Sequence, residues 1–257
     1  MDDLTPPRPP SLQTYTPARV ALRRTGNSLA TSEILVFQQA HAQARDAVHA
    51  TLDPAALTQR LQSELALAAI TLHSAASDRS TYLRRPDLGR TLSPDSAAQL
   101  HPSSNDAAII LADGLSALAI ERHAIPLLRE LLPLLAQSDW QLTPIYIAQQ
   151  ARVALADQIG SLLHAALTIV LIGERPGLSS PDSLGAYITW QPRPGRTDAE
   201  RNCISNIRTA GLDYATAAHR IAHYANEARR LRLSGTTLKE LDAPTLSTLG
   251  LPTNPSS

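Results

Sequence analysis

The segment between Glu174 and Gly185 is rich in side chains that can form hydrogen bonds. It combines the carboxylate of Glu174 and the guanidinium of Arg175 with two proline turns and several serine hydroxyls. A carboxylate at a strand end can accept hydrogen bonds from amide donors on a ligand. Alternatively, Glu174 and Arg175 form a surface ion pair that contributes about 0–1 kcal/mol. Composition alone leaves both interpretations open.

Cys203 is the only cysteine, and it lies in a stretch of mixed charged and apolar residues, 192–208. Its ordinary interpretation is a small buried apolar residue. A nucleophilic role would need a nearby base, and this stretch contains no histidine. A single cysteine excludes an internal disulfide and favours a cytosolic location.

Histidines recur at four-residue spacing in two predicted helices. His41, Arg45 and His49 share one helix face, and His219 and His223 share another. Two histidines so spaced can bind zinc, but neither pair has an accompanying HExxH pattern or third ligand. We therefore expect the first set to be a solvated or interface-facing stripe. The sequence also lacks phosphate-loop, dinucleotide and nucleophile-elbow motifs, so it offers no catalytic constellation for an enzyme acting alone.

Short apolar runs alternate with helical patterns in the second half of the chain. This alternation predicts an α/β fold, a Rossmann-like parallel sheet flanked by helices and preceded by an N-terminal helical segment. Pro126 and Pro133 are predicted to kink or divide one helix. The predicted strands are 107–112, 144–148, 167–172 and 186–190, and the main predicted helices are 33–52, 116–137, 153–164 and 214–233, with another beginning at 54.

Ligands of open parallel sheets bind beyond the carboxyl ends of the strands. The segments predicted at that edge are 113–114, 149–153 and 173–180. The sequence therefore predicts a binding site formed by these three segments.

Four regions are predicted along the chain. Residues 1–17 form a proline-rich extended tail, and 18–106 form a helical and loop region that docks a partner. Residues 107–240 form the Rossmann-like domain, and 241–257 form a frayed tail.

The overall charge balance argues against two classes of partner. The chain has 257 residues with 23 basic and 23 acidic side chains, so its formal charge is zero. This balance disfavours electrostatic binding to nucleic acid or to a membrane surface. Aromatic residues amount to only 4%, which also disfavours base stacking.

Several motifs with fixed neighbours resemble one known family, the small (light) subunit of ethanolamine ammonia-lyase. The resemblance covers roughly residues 17–240. The segments that carry it are 41–48, 78–90, 113–117, 172–178 and 198–207.

This resemblance implies an adenosylcobalamin-dependent lyase that converts ethanolamine to acetaldehyde and ammonia. In the family a large partner subunit, a TIM barrel, binds the substrate, and the small subunit helps to hold the cofactor. The resemblance therefore implies that the domain 107–240 is the cobalamin-binding domain. The family's cofactor contacts fall on Val153, Glu174 and Cys203. Glu174 would accept hydrogen bonds from corrin amides, whereas Val153 and Cys203 would pack against the cofactor.

The resemblance also implies that the cofactor is bound base-on, because the sequence has no Asp-x-His-x-x-Gly motif that would replace its lower ligand. The implied location is the cytoplasm, either free or within a bacterial microcompartment. The competing hypothesis is a non-catalytic α/β module that binds a phosphorylated small molecule through arginine-rich loops. A third hypothesis is a scaffold whose N-terminal helices dock the partner.

Overall fold

A six-stranded, mostly parallel β-sheet flanked by helices forms the centre of this mixed α/β protein. The structure is a computed structural model and describes residues 12–16, 18–102 and 106–241. Of the tail predicted at 1–17, residues 12–16 are described and include a 3₁₀ turn at Leu12–Thr14. The tail predicted at 241–257 lies outside the described residues except for its first residue.

The regular elements follow one another along the described chain with two short 3₁₀ turns in the first hundred residues and one before the last strand. The strands are β1 (Arg24–Thr25), β2 (Ser28–Leu29), β3 (Ala69–His73), β4 (Ala107–Ala112), β5 (Ile145–Gln149), β6 (Leu167–Gly173), β7 (Leu184–Trp190) and β8 (Asn202–Ile207). The helices are α1 (Thr31–His49), α2 (Pro54–Leu65), α3 (Arg79–Arg84), α4 (Pro94–Ala98), α5 (Ala117–Gln137), α6 (Leu155–Leu163), α7 (Tyr214–Leu231) and α8 (Thr236–Leu241).

The strand order in the main sheet is β3-β5-β4-β6-β7-β8. The first four of these strands are parallel, whereas β7 runs antiparallel to β6, and β8 antiparallel to β7. The expectation of a wholly parallel sheet is therefore wrong at this edge. Parallel neighbours need a crossover of a dozen or more residues, usually a helix. The short, helix-free link from β6 to β7 instead reverses the chain.

The order in which strands are added to the sheet reverses at β4. The chain first adds β5 on one side of β4 and then adds β6 on its other side. All six residues of β4 are buried, because α2, α5 and α7 cover one face of the sheet and α6 covers the other. The gap between β4 and β6 is the place where open α/β sheets form a crevice at their carboxyl ends.

Helix α5 is a single helix in spite of its two internal prolines. It extends over Ala117–Gln137 and includes Pro126 and Pro133, so the predicted division does not occur. Each proline removes one backbone hydrogen bond. One side of α5 is almost wholly buried against the sheet and α7, and this packing stabilises the helix across both positions.

The sequence patterns did not predict β3 or β8. β3 pairs with β5 at one edge of the sheet, and β8 pairs with β7 at the other.

A buried ion pair fixes β8 to the body of the protein. The guanidinium of Arg201 donates from both terminal nitrogens to the two carboxylate oxygens of Asp157 on α6, each at 2.6 Å. Removing one partner of such a pair leaves an unpaired buried charge, which is strongly destabilising.

Within the predicted helical and loop region 18–106, the polar stretch 74–106 contains α3, α4 and a 3₁₀ turn in its described part. Among the described helices, none combines the length and the apolar character that crossing a membrane requires.

Candidate functional site

The ends of β4 and β6 touch at the carboxyl edge of the sheet. The amide of Leu115 donates to the carbonyl oxygen of Gly173 at 2.9 Å. A Cβ atom on Gly114 would overlap the carbonyl of Gly173, and one on Gly173 would overlap the carbonyl of Ser116. Glycine is therefore required at both positions, and it lets the backbones that end β4 and β6 pack directly against each other.

Asp113 fixes the neighbouring connection between β5 and α6. Its carboxylate is buried and accepts from the amides of Gln150 at 2.9 Å and Ala151 at 3.0 Å. Burial raises the pKa of Asp113, and the two amide donors and Arg79, 3.7 Å away, oppose that rise. Because the connection is fixed in this way, Val153 is held at the same edge as Gly173.

A cluster of three side chains, Arg79, Tyr82 and Arg152, contacts the connection between β5 and α6. The ring of Tyr82 is fully buried, and the guanidinium carbons of Arg79 and Arg152 lie 4.9 and 4.3 Å from its centre. The Tyr82 hydroxyl donates to the carbonyl of Ala151 at 3.1 Å. Burial raises the pKa of Tyr82, so the ring remains a neutral cation-binding surface.

Glu174 directly follows β6, and the antiparallel strands position its carboxylate. The Ser183 hydroxyl and the amide of Asn206 both donate to Oε2, the latter at 3.3 Å. A Cβ atom on Gly185 would come within 2.9 Å of Oε1, so the Glu174 carboxylate packs closely over this glycine. Oε1 has no hydrogen-bond partner within the described residues. One oxygen is thus fixed by the protein, and the other can accept from a ligand.

Val153 and Glu174 line one cavity of about 420 Å³ at this edge. Tyr82, Arg152 and Tyr187 contribute further walls. The structure therefore brings together two of the three residues that the sequence analysis singled out. It also places segments 113–114, 149–153 and 173–180 at one edge of the sheet, as predicted.

Cys203 lies one strand further out and does not line this cavity. It is the register partner of Tyr187, whose ring forms part of the cavity wall. Its side chain is exposed, so the expectation of a small buried residue is wrong. The sulfur lies 3.7 Å from the Ser205 hydroxyl, and burial together with Cys203 raises the pKa of Tyr187.

Sequence reasoning missed the side chains that organise the site. Ser183 and Asn206 orient Glu174, and Tyr82 and Tyr187 form walls of the cavity. Ser183 lay inside the segment that was singled out, but its partner was not visible from the sequence. The described residues contain no group of three or more His, Cys, Asp or Glu side chains placed to hold a metal ion.

The fold and the site define an α/β protein with a small ligand cavity at the carboxyl edge of its sheet. Comparison with known proteins identifies its family. The sequence model described as "Ethanolamine ammonia-lyase light chain (EutC)" matches residues 9–239. The chain belongs to this family and is a subunit of a lyase.

Close relatives span most of the chain, and each is named an ethanolamine ammonia-lyase small subunit. The one from Azotobacter vinelandii is 57% identical over 235 residues, which cover 89% of this chain and 87% of the relative. The one from Pseudomonas fluorescens is 54% identical over 235 residues, or 89% and 85% of the two chains. The one from Xanthomonas campestris is 54% identical over 253 residues, or 95% and 93%.

Proposed function

We propose that this chain helps to hold adenosylcobalamin within an ethanolamine ammonia-lyase whose large partner subunit binds the substrate. The relatives' designation as small subunits supports a large partner. When bound, adenosylcobalamin supplies the radical chemistry that converts ethanolamine to acetaldehyde and ammonia. This division of labour is consistent with the absence of a catalytic constellation, since a cofactor carries the difficult step.

The residues at the carboxyl edge fit such a cofactor on two counts. Oε1 of Glu174 is an acceptor without a partner in the described chain, and a corrin carries many amide donors. Val153 lines the same cavity and offers an apolar contact. The presence of this unpaired Glu174 oxygen and Val153 in residues that line one cavity is the observation that carries the proposal.

The size of the cavity supports a shared site. Pockets of roughly 300–1,000 Å³ hold drug-sized ligands, and a corrin is larger than those ligands. A cavity of about 420 Å³ would therefore receive only one edge of the macrocycle. The exposed side chain of Cys203 would pack beside that edge, next to Tyr187, and the large subunit would cover the remainder.

The regional assignments belong to the same proposal. Residues 107–240 would form the Rossmann-like cofactor domain, with the crevice between β4 and β6 as its binding edge. Residues 18–106 would dock the large subunit. The cofactor would be bound base-on, because the chain offers no Asp-x-His-x-x-Gly motif. The complex would work in the cytoplasm, either free or inside a bacterial microcompartment.

Reconstitution tests this function directly. The complex of this chain with the large subunit should retain adenosylcobalamin through gel filtration, seen as corrin absorbance co-eluting with both chains. A complex that assembles but elutes free of corrin would overturn the proposal. That result would favour the competing hypothesis of a phosphate-ligand module, which family membership does not favour.

A further inference from the structure

A second cavity of about 560 Å³ adjoins the first one. It lies between helix α1 and the loop that follows β6. His41 and Arg45 of α1 line one side, and Arg175 lines the other. The two cavities share Leu115, Arg152 and Arg175, so they form one continuous depression. We call the second cavity the arginine cleft.

The arginine cleft is lined by arginines without matching acidic side chains. Its lining residues include three arginines and a histidine, and no acidic side chain among those described. Arg45 has a described ion pair only with its neighbour Asp46, at 3.8 Å and largely in solvent. Such a pair is weak. Arg45 therefore remains available to an anion bound in the cleft.

Arg152 gives a second, independent indication of a missing ligand. It lines both cavities, and its Nε is buried with no hydrogen-bond partner in the described residues. Nη2 of the buried Arg79, which also contacts the Tyr82 ring, has no hydrogen-bond partner in the described residues either. An unsatisfied buried donor is costly, more so on a charged group, and an incoming acceptor removes the cost. Natural folds keep such groups chiefly where function needs them.

The guanidinium donors of the arginine cleft favour a phosphate-type anion. Guanidinium groups present flat, multiple N–H donors that match phosphate oxygens. The ligand proposed for the adjoining cavity carries neutral amide side chains and one phosphodiester, in the nucleotide loop beneath the corrin. We propose that the arginine cleft binds this phosphodiester, with Arg45 and Arg175 as its outer contacts and Arg152 as its inner one. This inference rests on the proposed function.

The test compares two corrinoids bound to the assembled complex of this chain with the large subunit. Adenosylcobalamin carries the phosphodiester, whereas adenosylcobinamide lacks the nucleotide loop. The test variant is Arg45→Gln combined with Arg175→Gln, because both side chains are exposed and their loss leaves the core intact. The control is Arg193→Gln, an exposed arginine that follows β7 at the opposite end of the sheet.

The double variant should bind adenosylcobalamin about ten- to a hundred-fold more weakly, measured as retained corrin absorbance in equilibrium dialysis. Its affinity for adenosylcobinamide should be unchanged, and the control should bind both corrinoids like the unaltered chain. Equal weakening of both corrinoids, or of neither, would overturn the inference.

Other outcomes identify a different occupant. If the double variant fails to assemble with the large subunit while the control assembles, the arginines bind acidic groups of that partner, and the phosphodiester assignment is wrong. If the unaltered complex retains neither corrinoid, the proposed function itself fails and this assignment fails with it. In that case binding of inorganic pyrophosphate, measured by calorimetry, would assign the cleft to a free phosphorylated ligand.

Discussion

The carboxyl edge of the sheet and the first turns of α1 differ in how far contacts within the chain satisfy their side chains. Polar groups at the edge find hydrogen-bond partners in the chain, whereas apolar side chains of α1 stay exposed to solvent. At the edge, Asp113 accepts from two amides, and one oxygen of Glu174 is held by Ser183 and Asn206. In α1, four consecutive apolar residues, 34–37, are exposed, Leu35 by 59% and Phe37 by 45%. The edge is organised within this chain, whereas the first turns of α1 leave apolar surface in water.

The difference separates two kinds of binding surface. Four consecutive helical residues point in all directions around the axis, so the first turns of α1 contact little of the described body. Only Ala40 and Ala47 of this helix are buried. Contiguous exposed apolar residues indicate a surface that another protein covers. We infer that the edge is preorganised for a ligand and that α1 depends on the large subunit.

Gly173→Ala should break the preorganised edge and have the largest effect. Its new Cβ would overlap the carbonyl of Ser116, which is backbone and cannot move aside freely. Overpacking of this kind costs about 3 kcal/mol or less. We expect the free energy of unfolding from urea titration to fall by nearly that amount, and cofactor retention to fall with it.

Gly195→Ala is the matched control for that experiment. Nothing lies within 4 Å of the Cβ position at Gly195, although its φ of +93° makes alanine strained there. A loss of stability no larger than that of this control would contradict the role assigned to the contact between β4 and β6.

Glu174→Ala should weaken adenosylcobalamin binding to the assembled complex by about 1–3 kcal/mol, because a ligand amide loses its acceptor. Glu174→Gln should retain part of the affinity, since its amide oxygen still accepts. Titration followed by corrin absorbance measures both effects. Glu130→Ala, on the exposed side of α5, should bind like the unaltered chain. Unchanged affinity in Glu174→Ala would reject the role assigned to this carboxylate.

The same contrast explains what the sequence could predict of the fold. The strands β4 and β6 are buried on both faces, so each is a continuous apolar run that reveals a strand directly. β8 was missed because its polarity does not follow its burial: the polar Asn202 is buried and the apolar Cys203 is exposed, so no apolar alternation reveals the strand. Its pairing with β7 shows that it is one. β3 is an edge strand of five residues just after a helix, and nothing local distinguishes it.

The candidate site was predictable to a similar degree. The position of Glu174 at the carboxyl edge could be predicted from the sequence alone, because β6 is easily recognised and Glu174 directly follows it. Val153 was selected only through the family resemblance. The partners of these residues come from distant segments, as when Asn206 of β8 donates to Glu174. Contacts between distant segments depend on tertiary pairing, which the spacing of residues along one chain does not encode.

Substitution of the exposed apolar residues of α1 should affect assembly and not folding. Leu35→Gln combined with Val36→Gln should leave the free energy of unfolding of the isolated chain within about 0.5 kcal/mol, as for most surface changes. Affinity for the large subunit, measured by sedimentation, should fall by about 1–2 kcal/mol. Ala56→Gln on the exposed side of α2 is the control. Unaltered affinity in the double variant would show that α1 is not part of the interface.

The smallest predicted effect is a change in how stability depends on pH, and it concerns His123, which links α5 to the loop that carries Ser183. The ring of His123 is buried, with Nδ1 2.9 Å from the Tyr214 hydroxyl and Nε2 3.4 Å from Asp182, which also pairs with Arg122 at 2.8 Å. Burial lowers the pKa of His123 below its ordinary 6.5, although Asp182 opposes this. The unfolded chain then takes up the proton first as the pH falls.

The stability that this histidine contributes is therefore complete above pH 6.5 and is lost as the pH falls below that value towards the pKa in the folded protein. Urea unfolding at pH 7.5 and 5.5 should show a smaller decrease for His123→Gln than for the unaltered chain. His49→Gln, an exposed histidine on α1, should keep the full decrease. If His123→Gln loses as much stability at pH 5.5 as the unaltered chain does, protonation of His123 does not loosen this side of the carboxyl edge, and the edge is held without it.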